Sequence, residues 1–217
     1  MLVFSTLSVW LREAGVARET IGYASLIGLA YAFKWVWSPL LDQWRLPLLG
    51  KLGRRRSWLV LAQSLVILGL IGMGFCDPQK HLSWLIAIAV IVAFASATQD
   101  IAVDAYRLEI ADDSRQAALA ASYMSGYRIA ALLATAGALF FAEGFGSTGF
   151  NYKHSAWTGT YVLFGLLMIP ALLTTLFTRE PNVPLRTPLQ AGPSSFVLHL
   201  VSGFALFVLL ASVPARV

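Results

Sequence analysis

Cysteine is nearly absent from this chain. Cys76 is the single one in 217 residues, which excludes an intrachain disulfide and any cysteine-cluster metal site. Histidine is scarce as well: His81, His154 and His199 stand apart from one another, so no metal site is expected, and no cofactor. Charge is the third shortage. Only 12% of the residues are charged, against about 25% in ordinary soluble domains, too few to cover a water-soluble fold. The start, MLVFSTLSVWLREAG, has no basic n-region and no small-residue cleavage site, so no signal peptide is expected. Strands of about ten residues in dyad alternation, the mark of a membrane β-barrel, are missing too. What is present is apolar surface: 58% hydrophobic residues and a mean hydropathy of +0.69, recurring along the whole length.

These apolar residues fall into segments of membrane length. They run from about Ile21 to Leu41, Trp58 to Phe75, Leu82 to Ala105, Ala117 to Phe141 and Trp157 to Phe177, with a further candidate from Phe196 to Val213. A helix needs roughly 20 residues to cross a bilayer, and closed backbone hydrogen bonding favours helices for such spans. The first apolar stretch is short, so the chain is expected to begin partway through a first helix. The net charge of +5 would suggest nucleic acid in a soluble protein. Here Arg45, Lys51, Arg54, Arg55 and Arg56 gather in one interhelical loop without an acid among them. That pattern follows the positive-inside rule and places loop 45–56 in the cytoplasm, with no nucleic-acid partner. Trp58, Trp84 and Trp157 near span ends suit an interfacial belt in a lipid bilayer.

Charges inside the spans carry the functional signal. Asp100, Asp104 and Arg107 end the fourth segment, and Arg128 lies about eleven residues into the fifth. A charge in a hydrophobic span is costly and usually faces a substrate or ion pathway. Residues four apart share a helix face, so Asp100 and Asp104 form a carboxylate stripe that Arg107 continues. Such a stripe can bind a proton or contact polar cargo; the plainer reading is that Asp104 and Arg107 merely stitch helices together. Arg128 lies too deep to snorkel easily, and its guanidinium suits an anionic cargo or a fourth-segment acid. Tyr123 and Tyr127 lie one turn apart on a similar face, where they can meet sugars or pack as core. Lys34, Ser38 and Asp42 follow one face of the second segment, which makes Lys34 an inward candidate. A clustered metal site or a nucleophile arrangement is lacking, so an enzyme is not expected.

Ser38-Pro39-Leu40-Leu41-Asp42, followed by Gly53-Arg54-Arg55-Arg56, resembles the loop motif of the major facilitator superfamily. That motif reads Gly-x-x-x-Asp-(Arg/Lys)-x-Gly-(Arg/Lys)-(Arg/Lys) between the second and third helices. Here Ser38 stands at the Gly position, Gln43 at the first basic position, and about eight extra residues precede Gly53. The resemblance implies a conformational latch built from Asp42, Gly53, Arg54, Arg55 and Arg56; a solvated loop that only sets topology is the alternative. Phe33 to Pro39, Thr98-Gln99-Asp100-Ile101-Ala102-Val103-Asp104-Ala105-Tyr106-Arg107, and Gly126-Tyr127-Arg128 together look like the muropeptide permease (AmpG-like) branch. The related acetyl-coenzyme A transporter branch carries a comparable TQDIAVD stretch but usually continues with Gly-Trp.

The resemblance implies an all-α, polytopic fold: an N-terminal six-helix bundle with a truncated first helix. It divides into a bundle at 1–178, a cytoplasmic linker at 179–195 and a partial seventh helix at 196–217. It also implies import of anhydromuropeptides with protons across the bacterial cell inner membrane, for cell-wall recycling. Lys34, Gln99, Asp100, Asp104, Arg107, Tyr123, Tyr127 and Arg128 are then the candidates for the substrate or proton pathway. Carriers of this superfamily pair two bundles around a central site. The chain is therefore expected to be an incomplete carrier whose missing partner is a C-terminal half. A carrier of another anionic solute such as acetyl-coenzyme A, or a non-transporting membrane accessory protein, is the alternative.

Overall fold

Among the described residues, four helices are long and apolar enough to cross a membrane: Arg54–Phe75, Pro78–Ile110, Ser114–Gly144 and His154–Phe177. The computed structural model describes residues 2–43, 46, 47, 49–149 and 151–181. Arg45, the stretch expected to be a linker beyond residue 181 and the partial seventh helix expected at 196–217 lie outside the described residues. Among the described residues every regular element is helical, and the β contact is an isolated bridge between Thr148 and Asn151. Met1–Pro181 form one compact unit.

The chain opens with a π-helical turn, Leu2–Thr6, that runs into α1, Leu7–Glu13. The second apolar segment is not one unbroken helix. It is assembled from α2 (Arg18–Ser25), a 3₁₀ turn (Leu26–Gly28), α3 (Leu29–Ala32) and α4 (Lys34–Gln43). α4 runs unbroken through Pro39, which supplies no N–H to its ladder. A 3₁₀ turn at Gly50–Leu52 precedes α5, Arg54–Phe75. Then come α6 (Pro78–Ile110), α7 (Asp113–Leu132), a second π-turn (Leu133–Gly137) and α8 (Ala138–Gly144). The last described pair is α9 (His154–Leu167) and α10 (Ile169–Phe177), parted at Met168 before Pro170.

Several helices outrun the apolar runs that announce them. α5 starts a full turn before Trp58, at the arginines, and α6 continues past Ala105 to Ile110. Arginine is a good helix former, so hydropathy ends at the membrane edge while the helix does not. Gly53 opens α5 at φ 104°, a left-handed conformation that favours glycine. A Cβ there would also collide with the Glu180 side chain. Asp77 caps α6 by accepting the Gln79 N–H at 3.0 Å, with Pro78 in the first turn.

The main core lies between α1, α5, α6 and α9. Trp10, Leu7, Leu11, Met73, Leu85, Ala89, Val92, Trp157 and Tyr161 are all essentially inaccessible. Opposite the arginine-bearing, basic end of α5, polar bonds tie loops to this core. Glu13 accepts from Trp157 Nε1 and from Ser147 Oγ, each at 2.9 Å. Trp10 stacks on Trp157 at 5.6 Å and donates to Tyr152, which in turn donates to Asp77. A smaller core of Leu41, Leu59 and Ala102 sits at the basic end.

Candidate functional site

Two polar centres hang on α6, about nine residues or roughly 13 Å apart along its axis. The deeper one is built on Asp100. Its Oδ2 pairs with Lys34 Nζ at the start of α4, and its Oδ1 accepts the Tyr123 hydroxyl of α7 at 2.9 Å. One carboxylate thus joins three separate spans. One turn back on α6, Ser96 bonds the Tyr31 hydroxyl of α3 at 2.5 Å. Tyr31 lies within electrostatic reach of Asp100, Lys34 and Tyr127. These polar side chains sit where hydropathy demands apolar ones, so each is matched to another.

Asp104 and Arg107 continue the stripe. Their closest approach is 3.8 Å, a loose ion pair rather than a hydrogen-bonded one. The Arg107 guanidinium lies over the Tyr123 ring, 5.7 Å from its centroid, a cation–π geometry. Its Nε is buried and has no hydrogen-bond partner among the described residues. Tyr123 therefore touches both the acid and the base of α6. Gln99 makes no side-chain hydrogen bond among the described residues, and Tyr127 and Arg128 are exposed on α7 without one. The structure thus brings Lys34, Asp100 and Tyr123 together and sets Asp104 and Arg107 beside them. Gln99, Tyr127 and Arg128 remain outside that bonded set.

The second centre is at the basic end. Arg55 is buried to 6% exposure and forks between two acids. Its Nη1 donates to Asp42 at 2.6 Å; its Nη2 and Nε donate to Glu109 at 2.5 and 3.1 Å. Arg54 donates to the Asp42 carbonyl at 2.7 Å and to Glu109 at 3.0 Å. Such charge-assisted, two-pronged bonds are the strong class. Glu180, after α10, accepts the backbone N–H groups of Arg55 and Arg56 at 2.8 and 3.1 Å. A carboxylate there satisfies orphan donors and meets the positive end of the helix dipole. Arg56 reciprocates by donating to the Thr175 and Leu176 carbonyls at the end of α10.

Asp42, Gly53, Arg54, Arg55 and Arg56 therefore lie together in one contiguous network. Its two organising acids, Glu109 and Glu180, were not among the sequence candidates; neither were Tyr31 and Ser96. Glu109 could have been suspected as an acid on the same helix as Asp100 and Asp104, one residue before its end. Glu180 had a weaker signal, an acid beside Pro181 closing the sixth apolar segment. Tyr31 and Ser96 had none beyond their spacing of three and four residues from Lys34 and Asp100.

No group of three or more acidic, histidine or cysteine side chains could hold a metal among the described residues. What the arrangement can do is hold and exchange charge inside a bundle of membrane-length helices.

The family model of the Major Facilitator Superfamily matches residues 1–215. The chain is 37% identical over 187 residues to the "Anhydromuropeptide permease" of Escherichia coli (strain K12), covering 86% of this chain and 36% of that protein. It is 38% identical over 183 residues to the "Putative transporter AmpG 4" of Rickettsia felis, covering 84% of this chain and 42% of that protein. An "Uncharacterized protein" of Haemophilus influenzae is 33% identical over 199 residues, covering 91% and 44% respectively. The chain thus spans less than half the length of these relatives.

Proposed function

The chain belongs to the major facilitator superfamily and is a multi-pass membrane protein, and from that premise we propose that it is the first bundle of a muropeptide carrier. The cargo is an anhydromuropeptide, imported across the bacterial inner membrane with protons, and loop 45–56 faces the cytoplasm. The observation that carries this reading is the Asp100 centre. A carboxylate inside a span is held by a lysine and a tyrosine from two other spans, in a chain similar to a permease of that name.

Mechanistically, Asp100 is the proton acceptor. As a carboxylate it holds Lys34 and Tyr123; once protonated it loses most of its pull on Lys34 and becomes a donor itself. Lys34, Asp104 and Arg107 then offer charge to the peptide carboxylates and polar sugar groups of the cargo. Tyr127 and Arg128 face the second bundle, which completes the central site. The Asp42–Arg55–Glu109 network is the latch: it holds the basic end together in one state and opens as the bundles rock.

Uptake of labelled anhydromuropeptide into sealed inner-membrane vesicles, with an imposed proton gradient, tests this. The chain is compared alone and completed with the second half of the Escherichia coli relative. Gradient-dependent uptake by the completed form, reduced at least tenfold by Asp100→Asn, is the expected result. A well-inserted completed form that takes up nothing would sink the cargo assignment. Full activity in the Asp100→Asn form would sink the coupling role.

A further inference from the structure

The third long span is made of two unlike parts joined by a π-turn. α8 is anchored: Ala138 and Ala142 are buried, and it packs on α9. In α7, by contrast, no residue from Ser114 to Leu132 is buried. Between them, Leu133–Gly137 form the π-turn, an i→i+5 segment of the kind that marks bends and functional sites in helices.

The π-turn faces another. Thr6, the last residue of the π-turn that opens the chain, is 2% exposed and donates its hydroxyl to the Ala134 carbonyl at 2.8 Å. In a wider turn the carbonyls leave their α-helical partners, and the Thr6 hydroxyl supplies one of them with a donor. At its other end α7 is held by Gln116, which donates to the Ala111 and Leu108 carbonyls at 2.8 and 3.3 Å. Along the length between those two ends, the polar side-chain ties to α6 among the described residues pass through Tyr123: its hydroxyl on Asp100 and its ring under Arg107.

We infer that the 133–137 π-turn is a hinge and that Tyr123 is the catch that sets the position of α7 against α6. α8 stays with the core while α7 tilts. The distance from the hinge to Tyr123 is about twelve residues, a lever of roughly 18 Å, so a tilt of about 10° moves Tyr123 by about 3 Å. That is enough to break its bond to Asp100 and to carry Tyr127 and Arg128 with it. Tyr123 is thus a positioning residue: it transmits the state of Asp100 to the helix whose exposed face bears those two side chains. The use made of this motion rests on the transport reading. The motion itself does not, and is measured without cargo.

Two pairs of spin labels read it in lipid nanodiscs, in a Cys76→Ser background. One pair, at Ala121 and Leu68, reports α7 against α5; the other, at Phe140 and Phe75, reports α8 against α5. All four positions are exposed. In Tyr123→Phe the first distance distribution is expected to shift or broaden by about 3 Å on that lever, while the second stays put. Thr6→Val, which removes the hydroxyl from the hinge, is expected to broaden the first pair and spare the second. Unchanged α7 distances in both variants would overturn the hinge. So would equal shifts of both pairs, which would mean that the whole bundle had loosened.

Discussion

α5 and the span that contains α7 read alike as membrane crossings, yet half of the apolar window of α5 is buried and only 6% of the other. The difference lies in what each helix meets. α5 is clasped by α6 and α9, and Gly69 lets it approach so closely that a Cβ there would run into Val92. The α7 glycine, Gly126, has nothing within 4 Å of where a Cβ would be. Hydropathy reports that a helix is in the membrane; it does not report whether the helix is scaffold or working surface. α5, with the arginines that crown it, is scaffold, whereas α7 carries Tyr123, Tyr127 and Arg128 on a helix that the bundle leaves open.

The sharpest way to break the comparison is to attack the scaffold at its crown. Arg55→Ala leaves Glu109 without its fork and is expected to cost about 3 kcal/mol of unfolding free energy, as for other broken buried pairs. Denaturant unfolding in mild detergent measures it, and a loss under about 1 kcal/mol would mean that the network is a surface feature. Next in size, Gly69→Ala drives a methyl into Val92, which is itself buried and cannot retreat. Overpacking of this kind costs about 2 kcal/mol.

The same change on the open helix has the opposite sign. Gly126→Ala adds helix propensity without a clash and is expected to stabilise by up to about 1 kcal/mol. If Gly69→Ala and Gly126→Ala moved stability equally, the contrast between the two helices would be void.

The smallest effect tests the anchored end, opposite the arginines. Burial first, and then the Asp77 carboxylate, push Tyr152 up to about 12, although the Trp10 N–H works the other way. The unfolded phenol ionises near 10, so this contribution to stability is complete below pH 10 and is lost as pH rises towards 12. A small decline in stability over that window, absent in Tyr152→Phe, is the expected outcome.

Much of this was legible in the residues. The spans of α5, α6, the third long helix and α9–α10 follow from runs of apolar residues, and the spacing of Asp42 and Gly53 to Arg56 drew attention to the residues that meet at the basic end. The second apolar segment was legible only as a segment. Its breakage into α2, a 3₁₀ turn, α3 and α4 depends on local geometry that a hydropathy run averages away. The pairing of Asp104 with Arg107 was suggested by spacing alone, and the 3.8 Å separation is looser than that spacing implied.

The sequence by itself determined that this chain crosses a membrane several times, which end of its helices is basic, and which spans carry charge. Those are properties of composition and of neighbours three or four residues apart, and local chemistry decides them. Only the tertiary structure decided that Asp100 meets Lys34 and Tyr123, that Arg55 divides between Asp42 and Glu109, and that Glu180 caps α5. These partners lie between 13 and 125 residues apart. A buried charge must find a partner, but many candidates satisfy that demand equally well, and only the packing of the helices selects among them.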